Sequence, residues 1–224
     1  MADGVFVTGT GTEVGKTVVA AAIARALAAS GKDVVVFKPA VTGLDELHEA
    51  DHEMLRRAAG SEQSDEEIAL YRFGPAVSPH LAAELAGEEI EPERLRRAAK
   101  AAAGSADVLV CEGVGGLLVP LTPNYSVRDF AVDLGLPLIV AAPPGLGTIN
   151  HTLLTLEAAR AVGLEVAAVV LTPWPAVPGE IELSNRETIA ALGEVQIELL
   201  PQLDLDETEA WPRLDWRFLH AMRE

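Results

Sequence analysis

A single cysteine, Cys111, stands in a chain of 224 residues, so no intramolecular disulfide can form and a reducing, cytoplasmic setting is expected. No apolar run approaches the roughly 18 uninterrupted residues of a membrane span. The opening Met1-Ala2-Asp3-Gly4 has no basic stretch leading into an apolar one, so a secretory signal is not expected. Basic residues are scarce as well. Lys and Arg number 17 against 34 Asp and Glu, a formal charge of −17. A surface this acidic repels nucleic-acid phosphates and anionic lipid, which argues against both as partners. Any phosphate bound here must be held by local chemistry. Aromatic residues make up only 4% of the chain, yet 49% of it is apolar, enough for a sizeable core.

Short β-rich apolar runs alternate with Ala-rich helical stretches. Strands are expected at Val5–Thr8, Val34–Lys38, Val108–Glu112, Leu138–Ala142, Val166–Leu171 and Ile197–Leu200. Helices are expected at Val18–Ala29, Leu95–Ala103, Val127–Leu134 and Thr152–Val162. This alternation predicts βαβ units, hence a single α/β domain spanning 1–224: a mostly parallel sheet with helices on both faces. The runs are apolar throughout, as strands covered on both sides must be. The charged segment from Leu44 to Ile68 reads as a solvated helical excursion. From Asp204 onward, Trp211 and Trp216 among acidic residues suggest a packed tail or a partner-facing helix.

The first strand runs into Gly9-Thr10-Gly11-Thr12-Glu13-Val14-Gly15-Lys16-Thr17, and a helix follows. Glycines let such a loop turn its N–H groups inward, and the helix N-terminus adds about half a positive charge. Lys16 would reach the outer phosphates of a nucleotide, and the Thr17 hydroxyl would bind Mg²⁺. Five residues separate Gly9 from Gly15 where the common phosphate-loop motif has four, so the loop is a variant.

The second strand ends in Lys38-Pro39, at the edge where an open parallel sheet binds ligands. Lys38 would stand beside Lys16, and two ammonium groups so close need an anion between them. The strand 108–112 ends in Glu112, a natural Mg²⁺ ligand facing the loop. Asp51 is a second candidate, although Asp45, Glu46 and Glu49 compete with it. Other features have plainer readings. Cys111 is a small apolar strand residue. Ser78-Pro79-His80 is a helix cap, a first-turn proline and a surface histidine. His48 and His52 have a metal pair's spacing but no supporting ligand, and read as solvated. The run Gly145 to His151 is either an anion-holding or an ordinary helix start.

Taken together, the residues resemble the dethiobiotin synthase family. The likeness is carried by Gly9-Thr10 with Thr12–Thr17, Lys38-Pro39 with Thr42-Gly43, Glu112-Gly113 with Gly115-Gly116, and Leu146-Gly147 with Asn150-His151. The matches extend from residue 5 to about residue 180, and the lengthened loop belongs to the family's pattern. The resemblance implies a dimeric, Mg²⁺-dependent P-loop NTPase-like enzyme of biotin synthesis. It would close a ureido ring on 7,8-diaminononanoate using CO₂ and ATP or another nucleoside triphosphate. By position, Lys16 and Lys38 would stabilise the carbamate and the γ-phosphoryl group, and Thr12 and Thr42 would contact the diamine or its carbamate. Thr17, Asp51 and Glu112 would hold Mg²⁺. Glu13, Val14, Gly15, Lys16, Thr17, Val18, Glu112, Gly113, Val114 and Gly115 would line the nucleotide. Leu146, Gly147 and Asn150 would come from the partner subunit to the substrate carboxylate. Thr172 and Pro173 replace an Asn-Asp pair often found in the family's base pocket, and Pro201, Gln202 and Leu203 lie near the base. A Thr hydroxyl lacks an amide's paired donor and acceptor, so a relaxed choice of base is expected. Two rivals are a ParA/MinD-like regulatory ATPase, which usually has a lysine early in the loop, and another amide or cyclo-ligase of the same fold.

Overall fold

The computed structural model describes residues 3–46 and 50–223. Its strands are β1 (Asp3–Gly9), β2 (Val34–Val41), β3 (Ala69–Arg72), β4 (Val108–Glu112), β5 (Pro120–Thr122), β6 (Tyr125–Ser126), β7 (Leu138–Ala142), β8 (Val166–Trp174) and β9 (Ile197–Pro201). The helices are α1 (Lys16–Ala28), α2 (Asp51–Ala59), α3 (Asp65–Ile68), α4 (Pro79–Ala86), α5 (Pro92–Ala103), α6 (Val127–Leu134), α7 (Thr148–Arg160), α8 (Glu180–Gly193) and α9 (Arg217–Arg223). Seven strands form one parallel sheet in the order β3-β2-β4-β1-β7-β8-β9, and β5 and β6 make a small antiparallel pair. The chain is thus a single α/β domain with its sheet covered on both faces.

Alternate residues of the central strands feed two separate cores. Val5, Val7, Val34, Val36, Val108 and Val110 face α1 and α2. Phe6, Val35, Phe37, Leu109 and Cys111 face the other way, against Leu95 and Phe130. Both sets are buried, which is why these strands read as unbroken apolar runs.

The charged segment after Leu44 departs from the expectation of a solvated excursion. In α2, Met54, Leu55, Ala58 and Ala59 pack into the α1-side core, and His52 is 4% exposed rather than solvated. Apolar residues at helical spacing outweigh the charges that flank them. His48 and Glu49 lie outside the described residues. Helix α4 starts at Pro79, where the helix cap was expected, while strand β3, helix α8 and the β5–β6 pair add to the expected elements. After β9, Leu214, Trp216, Leu219 and Met222 are buried in the same core as α1. Among the described residues, no helix is long and apolar enough to cross a membrane.

Candidate active site

The register of the sheet sets a row of polar side chains at its carboxyl edge. Phe37 pairs with Cys111, and Glu112 pairs with Val7, so Lys38 and Glu112 stand level on neighbouring strands. Each continues a face of its strand that is otherwise valine: Val34-Val36-Lys38 and Val108-Val110-Glu112. The apolar ladder under α1 therefore ends in a buried ion pair, with Lys38 2% and Glu112 0% exposed. Lys38 Nζ donates to Glu112 Oε1 at 2.7 Å and to Asp51 Oδ2. Asp51 reaches this point because it is the first residue of α2.

Next to β4 in the sheet, β1 delivers the phosphate loop. Gly9 admits no side chain, since a Cβ there would fall 2.6 Å from Val14 Cγ2 and 2.8 Å from Lys16 Cγ. Gly15 caps α1 at φ 85°, in the left-handed region, and Glu13 holds φ 58° without being glycine. Such conformations concentrate where a loop's shape is functional. Lys16 opens α1, and its Nζ donates to Gly11 O at 2.7 Å, folding back over the loop. Thr17 Oγ1 lies 3.0 Å from Asp51 Oδ1 and 2.9 Å from Glu112 Oε1.

The electrostatics follow from burial and pairing. Burial alone would lower the Lys38 ammonium's pKa, but Glu112 and Asp51 outweigh it and hold it above the usual lysine range. Lys16 is lowered by burial, with Glu112 offsetting only part. Burial raises Asp51, yet the adjacent Lys38 and the Thr17 hydrogen bond bring it below the ordinary range. Burial dominates at Glu112 and leaves it raised. One ammonium thus answers two carboxylates, and Glu112 Oε2 is a buried acceptor without a partner. An orphaned charged oxygen of this kind is costly, on the order of a few kcal/mol. Two carboxylates and a hydroxyl form an all-oxygen donor set that suits a hard divalent cation. Burial also lifts the Cys111 thiol well above its usual range, so it is inert packing.

These groups line a cavity of about 660 Å³. It gathers the expected Thr12, Glu13, Gly15, Lys16, Thr17 and Val18 with Lys38, Thr42, Asp51, Glu112, Val114 and Gly115. The anion expected between the two lysines is supplied on the Lys38 side by Glu112 and Asp51. Among the described acids of the 44–51 segment, Asp51 bonds the lysine, and Glu46 also lines the cavity. Val14 and Gly113 lie in the flanking turns, outside the lining. Thr172 is 3% exposed, and its methyl faces the phosphate loop: a Cβ on Gly15 would meet Thr172 Cγ2 at 2.6 Å. Pro173, Pro201 and Gln202 are exposed beyond it, and Leu203 lines a different cavity of about 690 Å³, between α1 and the C-terminal segment. Leu146, Gly147 and Asn150 stand at the start of α7, outside both cavities, with Leu146 97% exposed.

Sequence reasoning missed one wall. Ala76, Val77, Ser78 and Pro79 line the cavity, together with Val119. Ser78 does precede α4 with Pro79 in its first turn, but its side chain makes no capping hydrogen bond. The segment is tied to the Thr42 loop through the Gly43 N–H, which donates to Pro75 O. Reading β3 as a strand would have pointed to this wall, because it follows that strand's carboxyl end.

A family model described as an AAA domain matches residues 3–207. The ATP-dependent dethiobiotin synthetase of Anaeromyxobacter dehalogenans is 46% identical over 198 residues, covering 84% of this chain and 89% of that protein. Its counterpart in Rhodococcus erythropolis is 39% identical, covering 86% and 85%, and that of Bacillus subtilis subsp. natto is 36% identical, covering 87% and 84%. Among solved structures, the septum site-determining protein MinD of Pyrococcus horikoshii, complexed with Mg-ADP, superposes with a TM-score of 0.56 over 100% of this chain and 93% of its own. At 15% identity that likeness shows a shared fold, not a shared regulatory role. Identities of 36 to 46% over most of both chains decide the family: this chain is a member of the ATP-dependent dethiobiotin synthetases.

Proposed function

We propose that the chain closes the ureido ring of dethiobiotin on 7,8-diaminononanoate, consuming CO₂ and a nucleoside triphosphate. One amine of the diamine adds to CO₂ and loses a proton, giving a carbamate. A carbamate oxygen attacks the γ-phosphorus, releasing the nucleoside diphosphate and forming a carbamic–phosphoric anhydride. The second amine attacks the carbamoyl carbon, expels phosphate and closes the ring. The observation that carries this reading is the meeting of Lys16, Lys38, Thr17, Asp51 and Glu112 in one cavity under a phosphate loop. Phosphoryl transfer depends mostly on positioning and charge, which these groups provide. Lys16 answers charge on the γ-phosphoryl group, Lys38 holds the carbamate, and the Thr12 and Thr42 hydroxyls position the diamine. The apolar wall of Ala76, Val77 and Val119 suits its alkyl chain. Thr17, Asp51 and Glu112 would hold Mg²⁺, a role that the unpartnered Glu112 Oε2 fits. Bound there, Mg²⁺ would neutralise charge on the phosphate oxygens.

Among the described residues, the cavity as one chain forms it has no cationic group left for the substrate's carboxylate. The start of α7 lies outside it, with N–H groups suited to an anion. A two-fold homodimer in which Leu146, Gly147 and Asn150 complete the partner's cavity meets that need. Cytoplasmic localisation belongs to the same proposal and rests on the lone thiol and the nature of the substrates. Phosphate release measured with diamine, bicarbonate, Mg²⁺ and nucleotide, omitting each in turn, tests the function. Release that ignores the diamine or bicarbonate would exclude it.

A further inference from the structure

Lys38 Nζ takes up the space between two carboxylates that a cation shared by them would need. It bonds Glu112 Oε1 at 2.7 Å and Asp51 Oδ2, while Thr17 Oγ1 contacts the other Asp51 oxygen and the same Glu112 oxygen. The lysine and Glu112 are both buried, so water screens little of this interaction. An ammonium and a divalent ion cannot share that space, because like charges at contact distance in a buried site repel strongly. Lys38 is also on a flexible four-carbon stem and lines the same cavity as Thr42, so its ammonium has open space to turn into. Lys16 offers the contrast. It feels both carboxylates electrostatically, but its Nζ is bonded to Gly11 O.

Resting on the Mg²⁺-dependent reading above, we infer that Lys38 is the resident counter-ion of the metal site and sets the order in which the site fills. Without nucleotide, Lys38 neutralises Asp51 and Glu112 and keeps free divalent cations out. When a cation arrives with the nucleotide's phosphates, Lys38 gives up the carboxylates and turns its ammonium into the cavity. The lysine therefore reaches the carbamate only once metal and nucleotide are in place, so carbamate is not held in a site that has no phosphoryl group to accept it.

The test is Mn²⁺ binding to the intact protein, counting free Mn²⁺ by electron paramagnetic resonance. Nucleotide-free wild-type protein should bind Mn²⁺ weakly, and Lys38→Met should bind it at least about tenfold more tightly. Lys16→Met removes the same charge without vacating the space, and should shift the affinity less than about threefold. Equal affinity in wild type and Lys38→Met, or as large a shift in Lys16→Met, overturns the inference. If wild type fails to bind Mn²⁺ even with a nucleoside diphosphate, the metal reading itself falls with it. Should Lys38→Met not fold, the ¹⁵N-labelled ammonium signal of Lys38 in wild-type protein decides. It should move when Mg²⁺ and nucleoside diphosphate are added together, and not with the diphosphate in chelator. A signal unmoved by the metal contradicts the inference.

Discussion

Lys38 and Glu112 stand level at the ends of neighbouring strands, with Nζ 2.7 Å from Oε1 and both side chains buried. Lys16, one strand further along, instead donates to Gly11 O of the loop it belongs to. The two lysines should therefore fail differently. Lys16→Ala and Lys38→Ala should each lower turnover by about 100- to 1000-fold, the usual loss for one charge-stabilising donor. Lys38→Ala also strands two carboxylates and should cost about 3–5 kcal/mol of stability. Lys16→Ala removes a charge that burial already disfavours, so its unfolding midpoint should hold or rise. Steady-state kinetics and chemical denaturation check this, and equal stability losses would contradict the pairing.

Gly15 and Thr172 couple the phosphate loop to the end of β8. Gly15→Ala places a methyl against Thr172 Cγ2 and forces a side chain onto φ 85°. The left-handed backbone alone costs about 1–3 kcal/mol, and nucleotide binding should fall with it. Adding Thr172→Ser removes the steric conflict but not the backbone strain, so it should recover stability only in part. Full recovery in the double variant would show that backbone conformation at Gly15 matters little.

The burial of Thr172, with its methyl toward the loop, leaves no side-chain amide to read a base there. CTP or GTP should support turnover within about tenfold of ATP, a discrimination of only about 1.4 kcal/mol. Initial rates at equal nucleotide concentrations measure it. A preference above about a thousandfold for ATP would mean that backbone groups near Pro201 to Leu203 read the base unaided.

The framework of the sheet was legible because strands buried on both faces leave unbroken apolar runs, as at Val34–Val36 and Val108–Val110. The loop, Lys38 and Glu112 were legible because they end such runs. Asp51 could not be separated from Asp45, Glu46 and Glu49, since that choice depends on where α2 begins. Helix α8 left no apolar stripe to read: Ile181 and Leu192 are 56% and 67% exposed, while Asn185 and Gly193 are among its few buried residues. The wall at Ala76–Pro79 stayed hidden behind β3, a strand too short to announce itself.

A shared dimeric site predicts complementation between two inactive chains. Lys38→Ala spoils the cavity, and Gly147→Glu spoils the α7 start, where φ is 89° and the new charge would meet the substrate's carboxylate in the proposed dimer. Each homodimer should be inactive, whereas mixed dimers should regain one intact site of two. No recovery despite demonstrated subunit exchange would rule out sharing, as would a fully active monomer.

The most direct measurement of the central claim follows the carbon. Wild-type protein is given the diamine, nucleoside triphosphate, Mg²⁺ and ¹³C-bicarbonate, and the product is examined by mass spectrometry and ¹³C NMR. One labelled carbon should enter per product molecule, as a ureido carbonyl, with one phosphate released for each, and Lys38→Ala should slow both by about 100- to 1000-fold. Nucleotide hydrolysis without labelled ureido product, or labelled product formed at the normal rate by Lys38→Ala, would contradict the claim that this cavity carboxylates and cyclises the diamine.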